Sequence, residues 1–134
     1  DTDILSEIFR GKNPTVDAHA AAYRAQQGLI TISIITLIEV VRGWHQAGKP
    51  ERAEVFRTWL SHCEVLPLDD GPGWLAGEIG GALARTGQVI GLADVSIAAT
   101  AIHHGLVLVT GNVAHHERIR AAGFPLQIEN WRDA

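Results

Sequence analysis

The sequence has little of what would tie the protein to an oxidising compartment, a membrane or a polyanionic surface. A single cysteine, Cys63, rules out a disulfide within the chain. The longest apolar run, 29–38, is too short to cross a membrane and ends at Glu39. A formal net charge of -4 disfavours nucleic-acid binding through bulk positive charge, and leaves open an enzyme that uses a local patch or a bound metal. We therefore expect a soluble cytoplasmic protein.

Methionine is absent as well, and the chain opens on Asp1 with no strand before it. We expect an aliphatic first strand upstream of residue 1 that this sequence does not include. A chain of 134 residues is most economically one domain, 1–134, and an apolar content of 46% is enough for a hydrophobic core. No linker, repeat or low-complexity segment divides it.

Short runs rich in β-branched residues alternate with helical spacings along the chain. Strands are predicted over 29–33, 64–68 and 106–110, with an edge strand over 126–131. Helices are predicted over 3–10, 13–27, 36–47, 50–62, 74–85, 94–104 and 115–121. Asp3 is the predicted N-cap of the first helix, and the Gly-Pro-Gly segment 71–73 a break in the chain. The alternation predicts an α/β fold around a parallel sheet.

Three acidic residues lie beside apolar segments: Asp1 in DTDIL, Glu39 in ITISIITLIEVVRG and Asp94 in GLADVSIAATAIHHGLVLVTGN. Asn112 follows the predicted strand that ends at Thr110. Ligands of parallel α/β sheets bind beyond the carboxyl ends of the strands, so these residues can point to one end of the sheet. Clustered carboxylates repel one another, and Mg²⁺ or Mn²⁺ offsets that repulsion through oxygen ligands. Such a site suits metal-assisted phosphodiester hydrolysis.

Each acid also has a purely structural explanation. Thr36 and Glu39 fit a capping box, in which the glutamate bonds back to the start of its own helix. Asp94 fits an acid at a helix end that favours the helix dipole, and Asp1 fits a solvated terminus. Only the joint placement of the three acids favours a shared site.

The segments DTDIL, SIITLIEVVRG, GLADVSIAATAIHHGLVLVTGN and LQIENW together resemble PIN-domain ribonucleases, specifically VapC-type toxins of type II toxin–antitoxin systems. The resemblance runs from Asp1 to Trp131 in consistent order, and ADVSIAATA with LVLVTGN is its most specific part. It implies a three-layer α/β/α sandwich around a short parallel sheet, and an endoribonuclease that hydrolyses RNA with Mg²⁺ or Mn²⁺. It also implies a homodimer that a cognate antitoxin holds inactive by docking near the active site.

The family's catalytic positions fall, in chain order, on Asp1, Glu39, Asp94, Thr110 and Asn112. The resemblance assigns metal binding to the three acids, and to Thr110 the positioning of a ligand or water.

One segment departs from the family pattern. Many relatives carry a fourth acid near the threonine–asparagine motif, whereas this chain reads TGNVAHHERI, with His115 and His116 in that neighbourhood. The histidines are close enough to Asn112 to line a pocket rim, and we expect no direct catalytic role for either. Without the fourth acid, we expect one ion, bound mainly through Asp1 and Asp94.

Three other functions stay open. A housekeeping RNA-processing nuclease would share the fold, and an adjacent antitoxin gene would distinguish the toxin from it. A phospho-acceptor signalling domain would need a lysine near the acids. The only lysines are Lys12 and Lys49, and neither lies at a strand end near Asp94, which disfavours this function. A catalytically silent binding module would fail to bind Mn²⁺ in a calorimetric titration.

Overall fold

The computed structural model describes all residues, 1–134, and they form two compact units. The first unit comprises Asp1–Leu66 and Trp131–Ala134, and the second comprises Pro67–Asn130. Helices alternate with short parallel strands in both units, which confirms the predicted α/β class. The longest helices lack the length and the apolar composition needed to span a membrane.

The first unit combines helices with a two-stranded sheet. Its elements are α1 (Thr2–Arg10), α2 (Pro14–Gln27), β1 (Ile30–Ser33), α3 (Ile34–Gln46), α4 (Pro50–Trp59), the 3-10 helix Leu60–His62 and β2 (Cys63–Leu66). The two strands are parallel, with Ile30 opposite Cys63 and Ser33 opposite Leu66. Parallel neighbours need a long crossover, and α3 and α4 provide it. Helices α1, α3 and α4 bury apolar side chains such as Leu5, Val40 and Phe56.

The second unit repeats this arrangement with its own pair of strands. Its elements are α5 (Asp70–Arg85), α6 (Leu92–His103), β3 (Val107–Val109), α7 (Val113–Ala121) and β4 (Gln127–Glu129). The strands are again parallel, with Val107 opposite Gln127 and Val109 opposite Glu129, and α7 connects them. The strand predicted near the end of the chain is therefore confirmed.

Helix α6 is buried over seven consecutive residues, 95–101. A helix buried on every side must satisfy any polar group that it carries. Its hydroxyls do so locally, because Ser96 donates to the carbonyl of Leu92 at 2.7 Å and Thr100 donates to that of Ser96 at 2.8 Å. Its small alanine side chains let α5 pack closely against it. This packing holds the first turn of α6, which contains Asp94.

Two local predictions are wrong. The N-cap of α1 is Asp1 rather than Asp3, because Asp1 Oδ1 accepts the N–H of Ile4 at 3.1 Å. The Gly-Pro-Gly segment 71–73 is not a break but lies in the first turn of α5. Proline is tolerated there because the first N–H groups of a helix have no partner within it.

The start of α3 decides between the explanations of Glu39. The helix begins two residues earlier than predicted, and its N-cap is Ser33, whose Oγ accepts the N–H of Thr36 at 3.1 Å. Thr36 lies inside the first turn and cannot be the N-cap, so it forms no capping box with Glu39. Glu39 lies in the second turn of α3, where a different partner must account for its position.

We expect Ser33→Ala to lower the free energy of unfolding by about 1 kcal/mol, because it removes the side-chain cap of α3. Lys49→Ala is the matched control, since Lys49 is the N-cap of α4 but makes no side-chain cap hydrogen bond. The control should stay within about 0.5 kcal/mol of the parent protein. Urea denaturation followed by circular dichroism measures both. Equal losses in the two variants would contradict the assignment of Ser33.

The cysteine at the start of β2 should react slowly with alkylating agents. Burial raises the pKa of the Cys63 thiol from 9.0 to about 11, although the positive charge of Arg24 acts in the opposite direction. The raised pKa leaves roughly a hundredfold less thiolate at pH 8 than the ordinary value would. Iodoacetamide should therefore modify the folded protein at pH 8 far more slowly than the urea-unfolded chain. Similar rates in the two states would contradict the raised pKa.

Candidate functional site

Asp1 occupies a helix start in the first unit. Its Oδ1 accepts the N–H of Ile4 at 3.1 Å, and its carbonyl oxygen accepts the N–H of Leu5 at 3.0 Å. The unpaired N–H groups and the dipole at a helix N-terminus favour a negative charge at this position. Asp1 is therefore a capping carboxylate rather than only a solvated terminus.

Glu39 has its partner in α1. The hydroxyl of Thr2 lies 2.5 Å from Oε1 of Glu39 and 3.3 Å from the hydroxyl of Thr36. A hydroxyl has one hydrogen to donate, and the carboxylate at the shorter distance is the stronger acceptor. Thr2, which directly follows Asp1, therefore links the start of α1 to the carboxylate of Glu39.

A groove of about 250 Å³ lies in the first unit and includes Glu39 in its wall. Most of the wall is apolar and comes from α1, α3 and α4. The lining residues are Thr2, Leu5, Ser6, Phe9, Arg10, Glu39, Val40, Gly43, Trp44, Ala47 and Phe56. The rings of Phe9 and Phe56 meet edge to face at 5.8 Å, so this part of the wall is packed rather than loose. The groove thus pairs an apolar surface with two opposite charges, on Arg10 and Glu39.

In the second unit, Asp94 is hydrogen-bonded to His115. Asp94 lies in the first turn of α6, and its Oδ2 is 3.1 Å from Nε2 of His115 on α7. An ionised carboxylate can only accept a hydrogen bond, so Nε2 of His115 carries the hydrogen. The side chain of Asp94 is 42% exposed, and the side chain of His115 is 23% exposed. Asp94 is therefore held on one side and open to solvent on the other.

Thr110 and Asn112 form the turn between β3 and α7. Thr110 is completely buried, and its hydroxyl accepts the backbone N–H of Asn112 at 3.0 Å. Its own N–H donates to the carbonyl of Glu129 at 2.9 Å, which continues the pairing of β3 with β4. Asn112 is exposed at the start of α7, and its side chain makes no cap hydrogen bond. Thr110 thus shapes the turn, and Asn112 presents its amide to solvent.

His116 is the buried neighbour of His115. Its Nδ1 lies 3.1 Å from the carbonyl oxygen of Asn112, so Nδ1 carries the hydrogen. Its Nε2 is buried and has no hydrogen-bond partner. Burial lowers the pKa of His116, although the hydrogen bond to Asn112 and the charge of Asp94 act in the opposite direction. The lowered pKa favours a neutral ring at this position.

The donors present suit a hard divalent cation. Oε2 of Glu39 and Oδ1 of Asp94 make no hydrogen bond to another protein group. Carboxylate oxygens are the ligands that Mg²⁺ and Mn²⁺ prefer, so the residue types fit such an ion. Within neither unit do three or more histidine, cysteine, aspartate or glutamate side chains come together as a ligand set.

Sequence reasoning missed two residues that contact the candidate acids. Thr2 is 37 positions from Glu39, and His115 is 21 positions from Asp94. Thr2 could have been suspected from its place directly after Asp1. His115 stands where the family resemblance led us to look for a fourth acid, which was the available signal for a residue close to Asp94.

The sequence matches the PIN domain family over residues 1–120. It is 33% identical over 132 residues to the tRNA(fMet)-specific endonuclease VapC of Shigella flexneri, covering 98% of this chain and 95% of that protein. The enzyme of the same name from Salmonella typhimurium is 39% identical over 101 residues, covering 75% of this chain and 74% of that protein.

Solved structures agree with this likeness. DNA-bound VapBC from Salmonella typhimurium matches with a TM-score of 0.82 and 32% identity, covering 98% of this chain and 95% of that one. VapBC2 from Rickettsia felis, bound to a DNA fragment from its promoter, matches with a TM-score of 0.80 and 27% identity over 98% of this chain and 96% of that one. The family match spans all five candidate positions, from Asp1 to Asn112. The chain belongs to the PIN domain family.

Proposed function

We propose that this chain is a metal-dependent endoribonuclease that acts in the cytoplasm as the toxin of a toxin–antitoxin pair. The observation that carries the proposal is the family match over residues 1–120, which includes every candidate catalytic position. Relatives named VapC ribonucleases, at 33% and 39% identity, support the reaction type. The family match over residues 1–120 supports a single PIN domain, which we extend to 1–134, and the homodimer is proposed on the family resemblance alone.

Asp1, Glu39 and Asp94 are the proposed metal ligands, for one Mg²⁺ or Mn²⁺ ion. Support comes from the chemistry of the donors, since Glu39 and Asp94 each have a carboxylate oxygen that no protein group occupies. The family resemblance assigns the same role to Asp1. A single ion is proposed because no acid stands beside the threonine–asparagine turn, where the sequence reads TGNVAHHERI.

The residues of the chain contribute mainly by orientation. When bound, the ion lowers the pKa of a water and stabilises the charge that develops on phosphate oxygens. Thr2 donates a hydrogen bond to Oε1 of Glu39, which leaves Oε2 available to the ion. Thr110 accepts the N–H of Asn112 and so holds the turn that presents the Asn112 amide, a group able to donate to a phosphate oxygen.

Removing the charge of Asp94 should abolish RNA cleavage. We expect Asp94→Asn to reduce the rate by at least about a hundredfold, because the amide is a much weaker metal ligand than the carboxylate. Asp17→Asn is the matched control, since Asp17 also lies in the first turn of a helix, α2. Cleavage-site mapping on total RNA, with initiator tRNA as a separate substrate, measures both variants. EDTA should stop wild-type cleavage, and Mn²⁺ or Mg²⁺ should restore it.

The same variants test the toxin assignment. Induced expression of the wild-type chain should arrest growth, and expression of Asp94→Asn should not. If Asp94→Asn cleaves RNA and arrests growth as the wild type does, the proposed site is wrong. If purified protein cleaves RNA but expression leaves growth unchanged, a housekeeping nuclease is the better assignment.

We also propose that the groove of the first unit receives a segment of the antitoxin. The solved neighbours are VapBC complexes from Salmonella typhimurium and Rickettsia felis, which supports an antitoxin partner. The groove offers apolar side chains such as Phe9 and Trp44, with Arg10 and Glu39 available for charged groups of the partner. An apolar segment with a positive side chain near Glu39 would complement it, and would occupy the surroundings of a proposed metal ligand.

Filling the groove should release the protein from its antitoxin without stopping catalysis. Gly43 lines the groove, and a Cβ atom added there meets no atom within 4 Å. We expect Gly43→Gln to fold, to cleave RNA as the wild type does, and to bind the antitoxin at least about tenfold more weakly. Gly77→Gln is the matched control, because Gly77 is also helical and equally open but lies in α5, in the second unit. Co-expression with the cognate antitoxin, followed by affinity capture, compares the two variants. If the Gly43→Gln and Gly77→Gln variants capture the antitoxin equally well, the groove is not the antitoxin-binding site.

A further inference from the structure

We propose that His115 is a positioning residue that orients Asp94 for metal binding, in place of the fourth acid that this chain lacks. The inference rests on the proposed role of Asp94 as a metal ligand. It assigns no proton transfer and no direct metal contact to His115.

The hydrogen bond from His115 makes the two oxygens of Asp94 unequal. Oδ2 accepts from Nε2 of His115 at 3.1 Å, whereas Oδ1 has no protein partner. An exposed aspartate at a helix start would otherwise sample several rotamers. The imidazole restricts the carboxylate to orientations in which Oδ2 faces α7, and this leaves Oδ1 as the oxygen available to an ion.

The ring of His115 is itself held by His116. The two rings meet edge to face, with centroids 5.2 Å apart and an interplanar angle of 85°. His116 is only 2% exposed and is anchored by its hydrogen bond to the carbonyl of Asn112. An anchored neighbour reduces the conformational freedom that His115 loses when it binds Asp94. The pair of histidines therefore connects the Asn112 turn to Asp94.

The chemistry of an imidazole differs from that of an acid in this place. A fourth carboxylate would add negative charge next to Asp94 and could bind an ion itself. A hydrogen-bond donor instead orients the carboxylate of Asp94 without adding negative charge or a further ligand. Partners that orient metal-ligating carboxylates in this way typically contribute 10- to 100-fold to metal affinity.

Mn²⁺ binding to purified protein, measured by electron paramagnetic resonance of the free ion, tests the role directly. We expect His115→Ala to raise the Kd for Mn²⁺ about 10- to 100-fold. His115→Gln should bind more tightly than His115→Ala, because its amide N–H reaches roughly the position of Nε2. Unchanged Mn²⁺ affinity in His115→Ala would overturn the proposal.

Cleavage rates across a range of Mn²⁺ concentrations separate positioning from catalysis. If His115 acts through Asp94, His115→Ala should need more Mn²⁺ and then reach a rate close to that of the wild type. A rate that stays low at saturating Mn²⁺ would overturn the proposal, because His115 would then act in the reaction itself. Circular dichroism checks that the variants are folded.

His104→Ala is the matched control. His103 and His104 form a second edge-to-face pair, with centroids 5.1 Å apart and an interplanar angle of 86°, but neither forms a hydrogen bond or ion pair with a carboxylate. The control should bind Mn²⁺ as the wild type does, and a loss of affinity there would overturn the specific role of His115. Asp94→Asn measured in parallel separates the two proposals. If Asp94→Asn is inactive while His115→Ala binds Mn²⁺ normally, only the inference about His115 fails.

Discussion

Carboxylates beside buried apolar segments need a source of positive potential, and in this chain the starts of helices provide it. Asp1 caps α1 through the N–H of Ile4, and Asp94 lies in the first turn of α6 directly before a fully buried stretch. Glu39 lies one turn further into α3, beyond the unpaired N–H groups, and is held by the hydroxyl of Thr2 instead. The positions of Asp1 and Asp94 therefore follow from where α1 and α6 begin, whereas that of Glu39 depends on a contact between α1 and α3.

The burial of α6 gives Asp94, a proposed metal ligand, a rigid base in the second unit. Residues 95–101 are enclosed on all sides, and the small side chains along the helix leave little room for it to shift. Asp94 can therefore be oriented by a single contact from α7, since its backbone is already held. A flexible loop carrying the same aspartate would need several contacts for the same effect.

Glu39 links the groove of the first unit to the proposed metal site. It lines the apolar groove and is also a proposed metal ligand, so a segment bound in the groove would lie against the same carboxylate. Under the proposed function, inhibition by a partner then needs no long-range conformational change. The mixed lining, mostly aromatic and aliphatic but including Arg10 and Glu39, suits a partner segment that carries both apolar and charged side chains.

Local pattern in the sequence determined the α/β class, the order of the elements and the identity of the candidate acids. β-Branched runs and helical spacings depend on neighbours a few residues apart, so the four strands and most helices could be predicted close to their observed bounds, whereas α5 begins four residues before its predicted start. Helix starts were less predictable, because Asp1 and Asp3, or Ser33 and Thr36, are chemically similar candidates within one turn.

Only the tertiary structure decided which groups surround each acid. The contact of Thr2 with Glu39 spans 37 positions, and that of His115 with Asp94 spans 21, so no local pattern could predict either. The sequence allowed Glu39 to be a capping residue, and the start of α3 at Ile34 excluded that explanation. Residue types set which chemistry is available, whereas hydrogen bonds between distant segments form only when packing brings them together, and these determine which carboxylate oxygen stays open.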